Sequence, residues 1–123
     1  MCAVDELRGR YELGQFLHRV RYDAMEDIPF DAFEGLGRIF GMHPSALRRC
    51  ARVTEVFTAD EFEAVLALRD ARGLVVTWSH FEMLALVRGR EARLRLANQI
   101  VAERLSVRDL AARIRRNRKR SAA

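Results

Sequence analysis

Cysteine, proline and lysine are all scarce in this 123-residue chain, and each shortage removes a class of explanation. The two cysteines, Cys2 and Cys50, are too few for a disulfide framework, and neither stands at zinc-site spacing from a histidine. Both read as free thiols in a reducing compartment. The two prolines and seven glycines leave long stretches without helix breakers. No apolar run reaches the length of about 18 residues that a membrane span needs, and the N-terminal stretch carries acids in place of a signal-peptide core. A cytoplasmic protein without membrane contact is therefore expected. The histidines, His18, His43 and His80, are scattered, with no metal-spaced pair and no nucleophile arrangement beside them. An enzyme is not expected, nor a cofactor, a metal or a small-molecule substrate.

What remains is a chain that is 50% hydrophobic and 32% charged, a balance that suits a globular protein and not a disordered one. Apolar residues recur at helical spacing, and seven helices are predicted. The first runs over 5–24 with Leu13, Phe16, Leu17 and Val20 on one face, weakened by Gly9 and Gly14. A loop through Asp27, Ile28 and Pro29 ends it, and a second helix covers 31–40. Gly41 breaks that helix, and Pro44 suits the first turn of a third that continues to residue 56. Three Ser/Thr-x-x-acid pairs, Thr58 with Glu61, Ser79 with Glu82 and Ser106 with Asp109, mark later helix starts. The fourth helix is drawn over 59–72 with Gly73 as its stop, and the fifth begins at Ser79 or just before it. Gly89 separates the fifth from the sixth, which carries Leu94, Ala97, Ile100 and Val101. The seventh carries Val107, Leu110, Ala111 and Ile114. Leu74, Val75 and Val76 form only a weak strand candidate.

The segment 33–52 has the parts of a helix-turn-helix in register. Leu36 and Phe40 precede the turn at Gly41, small Gly37 sits where the helices would cross, and Met42, Leu47 and Cys50 follow. This leaves His43, Ser45, Arg48, Arg49 and Arg52 on one solvent-facing stripe. Arginine pairs bidentately with guanine O6 and N7 or clamps phosphate, so the stripe suits a major groove, with Arg48 and Arg49 foremost. Two packed helices with a solvated basic face would give a similar pattern.

The net charge of +5 is unevenly spread. Residues 104–123 carry eight bases against the single Asp109, whereas residues 1–103 carry 14 bases and 16 acids. The tail residues Arg113, Arg115, Arg116, Arg118, Lys119 and Arg120 are read as phosphate contacts. Since Lys119 is the only lysine among the 22 bases, codon usage in a GC-rich genome is an alternative source of the arginine excess.

Two family resemblances run through residues 30–114. The segments Leu105-Ser106-Val107-Arg108-Asp109-Leu110 and Ser79-His80 resemble the helix starts that bracket the supporting helix pair in the central domain of ParB/KorB partition and repressor proteins. Thr77-Trp78-Ser79-His80-Phe81 together with Ser106-Val107-Arg108 is similar to the N-terminal domain of YhcG-like proteins. Both resemblances imply a helical module that follows a helix-turn-helix and assists DNA binding. The nucleotide-binding domain of the first family and the nuclease domain of the second have no counterpart here, so neither activity is carried over.

The expected architecture is an all-α, compact multi-helix domain over 1–114, with the helix-turn-helix at 31–56, support helices at 59–114 and a flexible basic tail at 115–123. The expected partner is double-stranded DNA, read in a sequence-specific way, with a role in transcription regulation or DNA maintenance at a prokaryotic nucleoid. A homodimer is expected, because one short helix reads few base pairs. The alternative is a helical protein-interaction adaptor or antitoxin-like module with nonspecific nucleic-acid affinity.

Overall fold

A computed structural model describes residues 3–23 and 30–122, with side chains placed for 3–19 and 35–120. Among the described residues run seven helices and one hairpin: α1 (Ala3–Asp23), α2 (Phe30–Phe40), α3 (Pro44–Val56), α4 (Ala59–Leu66), β1 (Arg69–Asp70), β2 (Gly73–Leu74), α5 (Trp78–Leu84), α6 (Arg90–Glu103) and α7 (Val107–Ala122). The all-α expectation holds, and no described helix is long and apolar enough to cross a membrane. The expected loop through Asp27, Ile28 and Pro29, the Val20 side chain and Cys2 lie outside the described residues.

The chain divides into two compact units, Met1–Thr58 and Ala59–Ala123, where the sequence predicts one domain over 1–114. The break falls between Thr58 and Ala59, just after Phe57, whose extended backbone (φ −93°, ψ 120°) ends α3. Neither glycine nor proline marks it, so composition carries no sign of a boundary.

In the first unit α1 buries Val4, Leu7, Tyr11, Gly14 and Leu17, spaced three or four apart. This stripe packs on α3, where Leu47, Cys50, Ala51 and Val53 are buried. Leu17, Leu47 and Ala51 form a core that Leu13, Leu36 and Met42 flank. Phe16, expected to face inward, is 42% exposed, because the stripe follows Gly14 and Leu17 around the helix. Gly14 permits the contact: a Cβ there would lie 2.5 Å from the Cys50 carbonyl oxygen and 2.6 Å from Thr54 Cγ2. Two polar ties accompany it, the Tyr11 hydroxyl donating to the Phe57 carbonyl at 2.6 Å and the Cys50 thiol donating to the Arg10 carbonyl at 3.0 Å.

In the second unit the apolar core gathers Phe62, Trp78 and Phe81, whose ring centroids lie 4.7 to 6.5 Å apart in tilted and edge-on arrangements. Buried Leu84, Ile100, Leu110 and Ile114 extend it. One ion pair lies inside: Arg93 donates from Nε and Nη2 to the two carboxylate oxygens of Glu61 at 2.7 and 3.2 Å, and from Nη1 to the Val87 carbonyl at 2.9 Å. Glu61 therefore does more than complement the α4 dipole.

Three elements differ from expectation. α4 stops at Leu66, well short of residue 72, and the chain turns back as a hairpin with Arg69 opposite Leu74 and Asp70 opposite Gly73. The Asp70 carboxylate accepts from the Arg72 N–H at 2.8 Å and Gly73 takes φ +112°, so Asp-Ala-Arg-Gly acts as turn chemistry. On α6 the inward residues are Arg93, Leu96, Ala97 and Ile100, while Leu94 is 37% exposed. Finally, α7 carries through residues 115–122, so the basic segment is helix and not a flexible tail. A helix started at Ser106, anchored by Leu110 and Ile114 and free of glycine and proline continues readily through arginines, whose charges also suit its C-terminal end.

Gly9 and Gly14 lie in the same helix, yet only Gly14 is crowded, since nothing approaches within 4 Å of a Cβ at Gly9. Gly14→Ala is expected to destabilise the protein by about 1–3 kcal/mol through overpacking. Gly9→Ala is expected to stabilise it by about 0.5–1 kcal/mol through helix propensity. Urea denaturation followed by circular dichroism checks both, and equal effects at the two positions would contradict this packing.

Candidate nucleic-acid interface

The turn between α2 and α3 is a left-handed C-terminal stop. Gly41 takes φ +66°, and the Met42 N–H reaches back to the Gly37 carbonyl at 2.8 Å, a six-residue closure that satisfies one of the last carbonyls of α2. Gly37 is tightly enclosed: a Cβ there would sit 2.4 Å from the Met42 carbonyl oxygen. The turn thus needs glycine twice, once for backbone angle and once for space.

α3 begins immediately after it. His43 is its N-cap, with Nδ1 accepting from the Ser45 N–H at 3.1 Å and lying 2.8 Å from Ser45 Oγ. Pro44 occupies the first turn, as expected, and no acidic residue stands there. Because Leu47, Cys50, Ala51 and Val53 turn inward, Ser45, Arg48, Arg49 and Arg52 fall on the opposite side. Arg49 and Arg52 are exposed, whereas Arg48 is half-buried and so less outward than its spacing predicts. The burial of one face fixes the direction in which the arginines project.

A depression of about 460 Å³ lies at this turn, lined by Arg38, Met42, His43, Pro44 and Arg48 together with the two turn glycines. Arg38 is exposed and stands outside the residues that the sequence pattern selects. A base in the last turn of the helix before Gly41 is the signal that would have found it.

The remaining predicted residues lie on α7, in the other unit. Arg115, Arg116, Lys119 and Arg120 are exposed. Arg113 is engaged: its guanidinium meets the two Glu103 oxygens at 2.6 and 3.1 Å and Gln99 Oε1 at 3.0 Å. A phosphate would have to displace a carboxylate there, so Arg113 is the weakest of the expected contacts. Arg118 donates to the Leu86 carbonyl at 3.1 Å and ties α7 to the turn that follows α5.

The two segments that carry the family resemblances meet in this unit. Thr77, not Ser79, caps α5: its hydroxyl accepts from the His80 N–H at 3.3 Å, and its own N–H donates to His80 Nδ1 at 3.0 Å. With Nδ1 accepting, the ring proton belongs on Nε2, which lies 2.8 Å from the Leu105 carbonyl. Ser106 caps α7 through the Asp109 N–H at 3.0 Å. Trp78, Phe81, Leu105 and Leu110 are buried. These letters serve capping and packing, with His80 joining one segment to the other. No family model, curated protein or solved structure matches the chain.

Two carboxylates in this unit titrate low. The Asp70 carboxyl is held below its ordinary value of 3.8 by the Arg72 N–H first, with the Arg104 guanidinium assisting. Glu103 is held below its ordinary 4.5 by the Arg113 guanidinium. Both stabilise the fold above those ordinary values, and the contribution is lost as pH falls through the lowered folded-state values. These two carboxylates should therefore contribute a fall in melting temperature below about pH 4 and no change between neutral pH and about pH 5. Glu103→Gln should lower the melting temperature at neutral pH and shrink the acid-induced drop; an undiminished drop would show that this pair does not contribute.

Proposed function

We propose that the protein binds double-stranded DNA in a sequence-specific way, with α3 as the element that enters the major groove. The observation that carries this reading is the fixed presentation of α3: a glycine-closed turn at its start, a buried Leu47/Cys50/Ala51/Val53 face, and Ser45, Arg49 and Arg52 on the other side. Arg49 and Arg52 suit bidentate pairing with guanine, Arg48 and Arg38 suit the flanking backbone, and Ser45 and His43 at the helix start suit a phosphate or base edge. Arg115, Arg116, Lys119 and Arg120 add sequence-independent phosphate attraction. A regulator of transcription or a DNA-maintenance factor acting as a homodimer at the nucleoid fits this chemistry, because two copies read two half-sites.

Selection from a randomised duplex pool tests the reading. Wild type should enrich a defined site, and its affinity should fall by orders of magnitude between about 50 and 200 mM salt. Arg49→Ala and Arg52→Ala should each weaken the selected site by about tenfold or more and relax preference at particular base pairs. Arg116→Ala and Lys119→Ala should weaken all duplexes alike. No enrichment by wild type, or unaltered preference in both α3 variants, would sink the proposal.

A further inference from the structure

A second concave surface lies wholly within the unit Ala59–Ala123, between the turn after α5, α6 and α7, with a volume of about 930 Å³. Its floor is apolar, made by Leu86, Ala92, Leu96 and Ile114. Leu86 is 40% exposed, a large apolar side chain open to water in the middle of a charged surface. Arg88, Arg95, Arg118 and Arg120 surround the floor, and no carboxylate lines the groove. Among the described residues none of Arg88, Arg95 and Arg120 is paired with an acid. Arg116 extends the cationic margin beside Arg120.

An occupant must therefore bring apolar surface to the floor and negative charge to the rim. Duplex DNA supplies the charge but would leave Leu86 against phosphates, where its burial gains nothing. Single-stranded nucleic acid binds by stacking on aromatic rings, and the groove has none. A helix about 10 Å across, with apolar anchors at i, i+3, i+4 and i+7 and carboxylates on either side, matches both requirements. We infer that this groove docks an acidic amphipathic helix of a partner protein, through Leu86 at the floor and Arg88, Arg95 and Arg120 at the rim. The groove shares Arg120 with the phosphate attraction proposed for α7 and involves no residue of α3.

The test uses the full chain and a fluorescent 16-residue peptide with leucines on one helical face and glutamates flanking them. Two controls accompany it: the same residues scrambled so that the leucines share no face, and the patterned peptide with lysine for glutamate. The acidic patterned peptide should bind at least about tenfold more tightly than either control. Leu86→Asp, and separately Arg95→Glu with Arg120→Glu, should each weaken it about tenfold or more with the melting temperature unchanged. Equal binding of the scrambled peptide, or wild-type affinity in both variants, would overturn the inference. So would loss of duplex binding with peptide binding intact, which assigns the surface to DNA. A dimer that Leu86→Asp dissociates in sedimentation would likewise overturn it, assigning the groove to a second copy.

Discussion

The approach of α1 to α3 at Gly14 is the contact on which the first unit depends. A Cβ at that position would stand 2.5 Å from the Cys50 carbonyl oxygen and 2.6 Å from Thr54 Cγ2, so only glycine lets the two helices come this close. Close approach brings Leu17 against Leu47 and Ala51 and carries Tyr11 within reach of the Phe57 carbonyl. On its other flank α3 is bounded by the Gly41 turn, where Gly37 is equally crowded by the Met42 carbonyl. Burial of the Leu47, Cys50, Ala51 and Val53 face turns Arg49 and Arg52 outward, while Arg48 stays half-buried.

The second unit places its most chemically suggestive residues in structural service. His80 caps α5 with one nitrogen and meets the Leu105 carbonyl with the other. Glu61 and Arg93 neutralise each other in the interior, where removing either would leave a buried charge. Arg104 adopts a left-handed backbone (φ 50°) to end α6, and its side chain pairs with Asp70 beside the hairpin. The histidine, the buried acid and the buried arginine of this unit each hold a structural partner.

Helices with strong punctuation were legible in the sequence, and those defined by tertiary contact were less so. Gly41, Pro44, Gly89 and Ser106 mark boundaries that the structure keeps, because backbone angle and capping are local properties. The Asp70–Gly73 hairpin was hidden by the helix-forming residues before it, although Asp and Gly at the two ends of a four-residue turn were a readable cue. Ser79 looked like the cap of α5 because it preceded an acid by three residues; Thr77 took the role because His80 can bond to it and to Leu105 at once. Leu94 and Phe16 point outward for a related reason, since the buried stripe is set by Arg93 with Glu61 and by Gly14 with Cys50, pairings that lie 32 and 36 positions apart. Of the candidate site, the α3 stripe was legible from periodicity and Arg38 from its place three residues before Gly41, while the partial burial of Arg48 and the Glu103 pairing of Arg113 depend on tertiary contacts that spacing does not show.

The central claim is that α3 contacts base pairs. At 14.2 kDa the chain suits amide chemical-shift mapping, and titration with a duplex that the protein itself has selected, against one of scrambled sequence, addresses that claim most directly. Shifts at residues 43–52 should be largest with the selected duplex and much smaller with the scrambled one, while those of α7 respond to both. Shifts confined to α7, or identical for the two duplexes along α3, would contradict the account.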